Sequence, residues 1–268
     1  MGRLMKYTFS ILVAVAIGLG LLGWLHMQSR SSQAHGTLTV YCAASLKKPV
    51  EAIAANFEKE HGWTVSLQYG GSASLLSAAR VSKTGDLFLS ADDGTIADAL
   101  KHGVIGEVIS LVKQRPVVIV TRGNPKNIRA LDDLLKPGVR LALANPESAS
   151  ISRVVRKALG DRWEAFRSSA TVFKPTVMDV AADAALGSVD AAIVWDSVVP
   201  QFAATESVNV AEFERLEENA SVALLKSSKQ PAEALRLAHY MASPAKGGHI
   251  FAKNGYRIAG GAVGDSKP

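Results

Sequence analysis

The sequence predicts an α/β chain with two lobes: mixed, mostly parallel sheets with helices on both faces and a ligand cleft between the lobes. Three observations lead there. Strand-like and helix-like periodicities alternate from Thr37 onward, the pattern of parallel sheets flanked by helices. A second series of the same kind opens near Pro116. A length of 268 residues exceeds the usual single domain and allows two of roughly 100–150 residues.

The elements follow in order. Residues 38–41 read as a short strand. Pro49 suits the first turn of the next helix, where its missing N–H costs nothing. Val50, Ile53, Ala54 and Phe57 share one face of that helix, and Gly62 stops it. Trp63, Val65, Leu67 and Tyr69 alternate as a second strand, and Gly70-Gly71-Ser72 turns the chain into a helix carrying Leu75, Leu76 and Ala79. Residues 86–90 form a third strand, and 96–102 a helix ended by Gly103. In the second series, strands at 117–120 and 139–144 flank a short helix at 131–135. Ile151, Val154, Val155 and Leu159 mark one helical face, and 177–186 is a further helix. Residues 191–195 are the uniformly apolar strand that parallel sheets bury. A strand at 222–225 and helices at 232–241 and 244–253 complete the chain. The expected division is 37–115 plus 221–262 for one lobe and 116–220 for the other, after a leading segment of 1–34.

Charge and composition narrow the function. The net charge of +6 comes from 30 basic and 24 acidic residues. Arg3, Lys6 and Arg30 precede residue 35 with no acid among them; without them the balance is 27 to 24, or +3, and no basic run remains. A nucleic-acid footprint is not indicated. The single cysteine, Cys42, excludes an intramolecular disulfide and a CxxC metal site and reads as a small buried residue. Asp86 and Asp92 read as structural, capping or pairing near the cleft. The six histidines lack HxH or HxxxH spacing, and no GxSxG is present for a nucleophile elbow. Arg3 and Lys6 lead into an uncharged apolar stretch, 7–25, followed by Ser32-Gln33-Ala34. That is an export signal, long enough to act as an anchor if uncleaved, so the folded part is expected outside the cytoplasm.

Ligands of such sheets bind beyond the carboxyl ends of strands, where helices begin. Four junctions there carry serine: Ser45, Ser72, the run Ser148 to Ser152, and Ser197 after Trp195-Asp196. Helix N-termini leave N–H groups unpaired and carry partial positive charge, so they hold anions without Arg or Lys. Each serine alone has a plainer role as a helix cap. Several such junctions on two lobes point instead to an anion site.

The blocks Val40-Tyr41-Cys42-Ala43-Ala44-Ser45-Leu46, Gly70-Gly71-Ser72-Ala73-Ser74-Leu75 and Gly85-Asp86-Leu87-Phe88-Leu89-Ser90-Ala91-Asp92 resemble, in order and spacing, the periplasmic molybdate-binding proteins of ABC importers. The resemblance continues through Asn145-Pro146-Glu147, Val177 and residues 189–195, ends near Gly255-Tyr256, and covers about 37–260. It implies a type II periplasmic binding fold whose lobes are joined by crossover strands. It also implies a buried tetrahedral oxyanion, molybdate or tungstate, held by neutral donors. Residue by residue, the implied ligands are Ser45 and Ser72 in the first lobe, with backbone donors near Ile151 and on Val177 in the second. Trp195 stands where the family has a tyrosine, and an indole N–H donates but cannot accept. Ser150-Ile151-Ser152 replaces a proline-containing turn, and Ser150 or Ser152 could supply a hydroxyl. The resemblance implies no catalytic residue and no cofactor; the partners are the anion and a membrane ABC permease, and the chain acts as a monomer in the periplasm or on the extracytoplasmic face of the membrane. Sulfate or another oxyanion, a membrane-anchored sensor lobe and an exported hydrolase stay open as alternatives. Ferric iron would need adjacent tyrosines, which Tyr41, Tyr69, Tyr240 and Tyr256 are not.

Overall fold

The computed structural model describes residues 36–259, so the expectation placed on 1–34 lies outside the described residues. Three βα units open the fold: β1 (Thr37–Ala43) and α1 (Lys47–His61), β2 (Thr64–Gly70) and α2 (Ser72–Ser82), β3 (Leu87–Ser90) and α3 (Asp93–Lys101). β1 pairs in parallel with β2 on one side and β3 on the other. The pleat sends alternate residues to opposite faces. Val40, Cys42, Leu87 and Leu89 join Val50, Ile53 and Phe57 of α1 in one core, whereas Tyr41 and Phe88 pack with Leu75 and Leu76 of α2 and Ile96 of α3 in another. α1 ends at Gly62, whose φ of 71° lets its N–H reach the Glu58 carbonyl at 2.8 Å.

The chain then crosses over through β4 (Ile105–Gln114) into β5 (Pro116–Thr121), and builds β6 (Leu141–Ala144), α4 (Ser150–Leu159), α5 (Trp163–Ser169), β7 (Ala170–Lys174), α6 (Val177–Ala185), β8 (Ala191–Trp195), β9 (Thr205–Val208) and α7 (Ala211–Glu214). It returns through β10 (Glu218–Leu225), followed by α8 (Pro231–Ala242), α9 (His249–Lys253) and β11 (Arg257–Ile258). One sheet has the order β11-β4-β10-β3-β1-β2 and the other β7-β6-β8-β5-β9. The first sheet therefore draws on both ends of the described chain, and the second on its middle. Among the described residues, no helix is long and apolar enough to cross a membrane.

The architecture is α/β with two mixed sheets, as expected, but antiparallel pairing is commoner than expected. Among the described residues, four strand pairings are parallel and five antiparallel. The crossing strands produce the difference, because β10 runs against β3 and β4, and β5 against β8 and β9. β4, β7 and β9 were not expected from the pattern. β4 meets β10 with register shifts at Ala220/Ser221 and Ala223/Leu225, and such bulges break the two-residue period that marks a strand. β7 and β9 are edge strands and present little continuous apolar face. The late helix expected at 244–253 starts instead with a π-helical turn, Pro244–Gly248, before α9.

Candidate functional site

Six junctions between strands and helices converge on one cavity, lined by Ala43, Ala44, Ser45, Gly70, Gly71, Ser72, Ala91, Ala149, Ser150, Ile151, Thr176, Val177 and Trp195. Ser45, Ser72, Ile151, Val177 and Trp195, the residues singled out in the sequence, all line it. No lining side chain is ionisable. The free space is about 10 Å³ for the centre of a water-sized sphere, close to the room one such sphere needs.

Ser45 lies in a 3-10 turn, Ala44–Leu46, between β1 and α1. Its Oγ is buried and has no hydrogen-bond partner among the described residues. Its carbonyl accepts from the Tyr256 hydroxyl, which ties the end of the chain to the cavity wall. Burial pushes the Tyr256 phenol up from its ordinary pKa, so it remains a neutral donor. Behind the turn, burial raises the Cys42 thiol, with the Glu51 charge adding to the effect; Cys42 is an unreactive core residue.

Ser72 is the first residue of α2, after Gly71 at the N-cap, and its side chain does not cap the helix. Its Oγ instead accepts from the Ala91 N–H at 3.1 Å, leaving the hydroxyl proton to be donated elsewhere. Ser150 and Ile151 are the first two residues of α4, and Ala149 at the N-cap offers no capping side chain. The opening N–H groups of a helix have no partner within it, so this terminus presents donors to the cavity. Ser150 lines the cavity, whereas the Ser152 hydroxyl is committed to the Ala144 carbonyl; of the two serines weighed, only Ser150 is placed at the cavity. Val177 opens α6. There Thr176 and Asp179 form a capping box, with Asp179 N–H donating to Thr176 Oγ1 at 3.3 Å and Thr176 N–H to Asp179 Oδ2 at 3.1 Å. The box occupies the third helical N–H and leaves those of Val177 and Met178 to what lies ahead of the helix. Trp195 ends β8 with only 1% of its surface exposed.

Capping, the plain alternative for the four junction serines, is not what these side chains do: the helices begun at Ala44, Ser72, Ser150 and Asp196 have no side-chain cap. Ser197 lies off the cavity and donates to Gln114 Oε1 at 2.9 Å. Gln114 had no signal in the sequence, yet it is fully buried where β4 meets β5 and also donates to the Ala91 carbonyl at 2.7 Å. Thr176 was also missed, although Thr-x-x-Asp ahead of an apolar run is a readable capping signature. The two acids behave as structural groups. Asp92 caps α3, and Asp86 accepts from Thr39 N–H at 2.8 Å and Ser228 Oγ at 2.6 Å.

The two lobes also touch beside the cavity. The Ser148 carbonyl, ahead of α4, accepts from the N–H groups of Ala73 at 3.1 Å and Ser74 at 3.4 Å, in the first turn of α2.

Fold and site together define a two-lobed α/β binding protein whose interlobe cavity is lined by neutral donors. The chain belongs to the bacterial extracellular solute-binding protein family, whose model matches residues 38–257, and this places its working part outside the cytoplasm. It is 26% identical over 230 residues to the molybdate-binding protein ModA of Mycobacterium tuberculosis, covering 84% of this chain and 86% of that one. Among solved structures it is similar to the periplasmic molybdate-binding protein of Azotobacter vinelandii, with a TM-score of 0.68 and 20% identity over 83% of this chain and 99% of that one. It is also similar to the sulfate-binding protein SubI of M. tuberculosis H37Rv, with a TM-score of 0.73 and 18% identity over 84% and 88% of the two chains. The family's members are solute-binding proteins, and the two relatives named first are binding proteins as well.

Proposed function

We propose that this chain is the solute-binding subunit of an ABC importer and captures a tetrahedral oxyanion dianion, molybdate or tungstate, for delivery to a membrane permease. The carrying observation is the cavity itself: helix starts from both lobes face it and, among the described residues, no ionisable side chain lines it and the Ser45 hydroxyl is buried there without a partner. In this reading the hydroxyls of Ser45 and Ser72, the backbone N–H groups of Ile151 and Val177, and the Trp195 indole N–H donate to the anion. Helix N-termini favour negative charge without a paired cation. Hydrogen phosphate is disfavoured because no carboxylate lines the cavity to take its proton in a strong, charge-assisted hydrogen bond. The small volume favours a compact anion over an organic solute.

Sulfate is the second reading, because it matches molybdate in charge and the sulfate-binding neighbour shares the fold. A thermal-shift and calorimetric panel of molybdate, tungstate, sulfate, phosphate and chromate on residues 35–268 separates the two. Molybdate and tungstate should stabilise most; at ligand a hundredfold above its dissociation constant the gain is about 2.7 kcal/mol. A shift with phosphate or sulfate and none with either metal oxyanion would overturn the assignment.

A further inference from the structure

Arg153 sits one turn into α4, the helix whose first residues line the cavity. A cation near a helix N-terminus is disfavoured by the macrodipole, so the helix itself does not explain the residue. Its partners lie on the other lobe. One guanidinium nitrogen donates to Thr95 Oγ1 and stands 3.8 Å from Asp92 Oδ2, at the start of α3. Asp92 is a fixed target: its side chain is 2% exposed, and its carboxylate accepts from Thr95 N–H and Ser90 Oγ, each at 3.0 Å. Arg153 is itself about one-third exposed (36%), and its Nε is buried without a partner among the described residues. A guanidinium only partly satisfied suits a contact that forms and breaks better than a permanent brace. Arg153 is not among the cavity-lining residues.

We infer that Arg153 is a positioning residue for the bound anion: its tie to Asp92 and Thr95 holds the first turn of α4, and with it the Ile151 N–H, over the cavity when the lobes are together. This rests on the reading of the cavity as an anion site. Because the tie acts after the anion has met the first lobe, its loss changes how long the anion stays more than how fast it arrives.

The test compares Arg153→Met, which keeps the aliphatic stem, with Arg153→Lys, Asp92→Asn and the double variant Arg153→Met/Asp92→Asn. Asn preserves the N-cap of α3. Molybdate affinity is read by calorimetry, dissociation by chasing radiolabelled molybdate with excess tungstate, and ligand-free stability by thermal unfolding. Spin labels on cysteines replacing Ser77 and Ser168, exposed residues of the two lobes, report the interlobe distance. The expected result is an affinity about tenfold weaker for Arg153→Met and for Asp92→Asn, nearly all of it in dissociation. The double variant should lose little more, because the pair acts as one unit. Arg153→Lys should fall between wild type and Arg153→Met, the ligand-free melting temperature of the two Arg153 single variants should not move, and Arg153→Met should add a longer interlobe distance. Wild-type affinity and distance in Arg153→Met overturn the inference, as does a lowered melting temperature with unchanged affinity, which marks a plain brace. If the wild type binds no anion of the panel, the anion reading fails separately. The distances still decide the tie: a longer separation in Arg153→Met supports it, and equal separations reject it.

Discussion

Replacing Gly71 by alanine isolates the contribution of lobe closure. Gly71 has φ −72° and ψ 142°, a conformation open to any residue, so backbone freedom is not the reason for glycine. The reason is proximity. A Cβ there would lie 2.2 Å from the Ser148 carbonyl oxygen, 2.7 Å from its carbon and 3.2 Å from the Ala149 Cα, all backbone atoms of the other lobe. Restoring ordinary contact requires the lobes to part by about 1 Å at this point. The bonds from Ala73 and Ser74 N–H to Ser148, already 3.1 and 3.4 Å, would then be lost. Two neutral hydrogen bonds contribute roughly 1–3 kcal/mol together, about fivefold to 150-fold in affinity. The contact joins the lobes and supports neither core, so the ligand-free melting temperature should stay at the wild-type value. Calorimetric titration of Gly71→Ala with molybdate, alongside ligand-free unfolding, checks both expectations. Wild-type affinity in Gly71→Ala would show that closure against Ser148 plays no part in binding.

Three further outcomes are expected. Ser45→Ala removes a buried hydroxyl without a partner; unfolding of the ligand-free protein should show it stabilised by up to about 1 kcal/mol, while calorimetry shows molybdate bound about tenfold or more weaker. With Trp63 and Trp163 changed to Phe and residues 1–34 removed, Trp195 is the remaining tryptophan, and its emission should change on saturation with molybdate; unchanged emission and quenching at full binding would make it a core residue only. The Arg140 guanidinium, hydrogen-bonded to Asp190, holds that carboxyl below its ordinary pKa despite the opposing effect of burial. A depressed carboxylate stabilises the fold above its unfolded pKa, and that contribution fades as pH falls through its folded value. Asp190→Asn should therefore cost about 1–2 kcal/mol at neutral pH, with the gap to wild type closing on acidification in denaturant titrations.

Local chemistry was enough for much of the fold. Apolar periodicity and punctuating glycines announced α1 and its stop at Gly62, and the apolar run 191–195 coincides with β8. Elements whose burial is set by distant neighbours were not legible. β4 is interrupted by bulges against a strand more than a hundred positions later, and β7 and β9 are edges with little apolar content of their own.

The site divides in the same way. By itself the sequence determined that serines and glycines stand at strand-to-helix junctions, because apolar periodicity locates those junctions from local residues alone. Only the tertiary structure decided which junctions meet. It brought Ser45, Ser72, Ile151, Val177 and Trp195 to one cavity, turned Ser152 inward to Ala144 and sent Ser197 to Gln114. The physical reason is that a hydroxyl's partner is fixed by whichever element packs against it, and those elements come from both lobes. Gly71 shows the limit most clearly: its own backbone angles ask for nothing special, and the carbonyl that requires a glycine there belongs to Ser148.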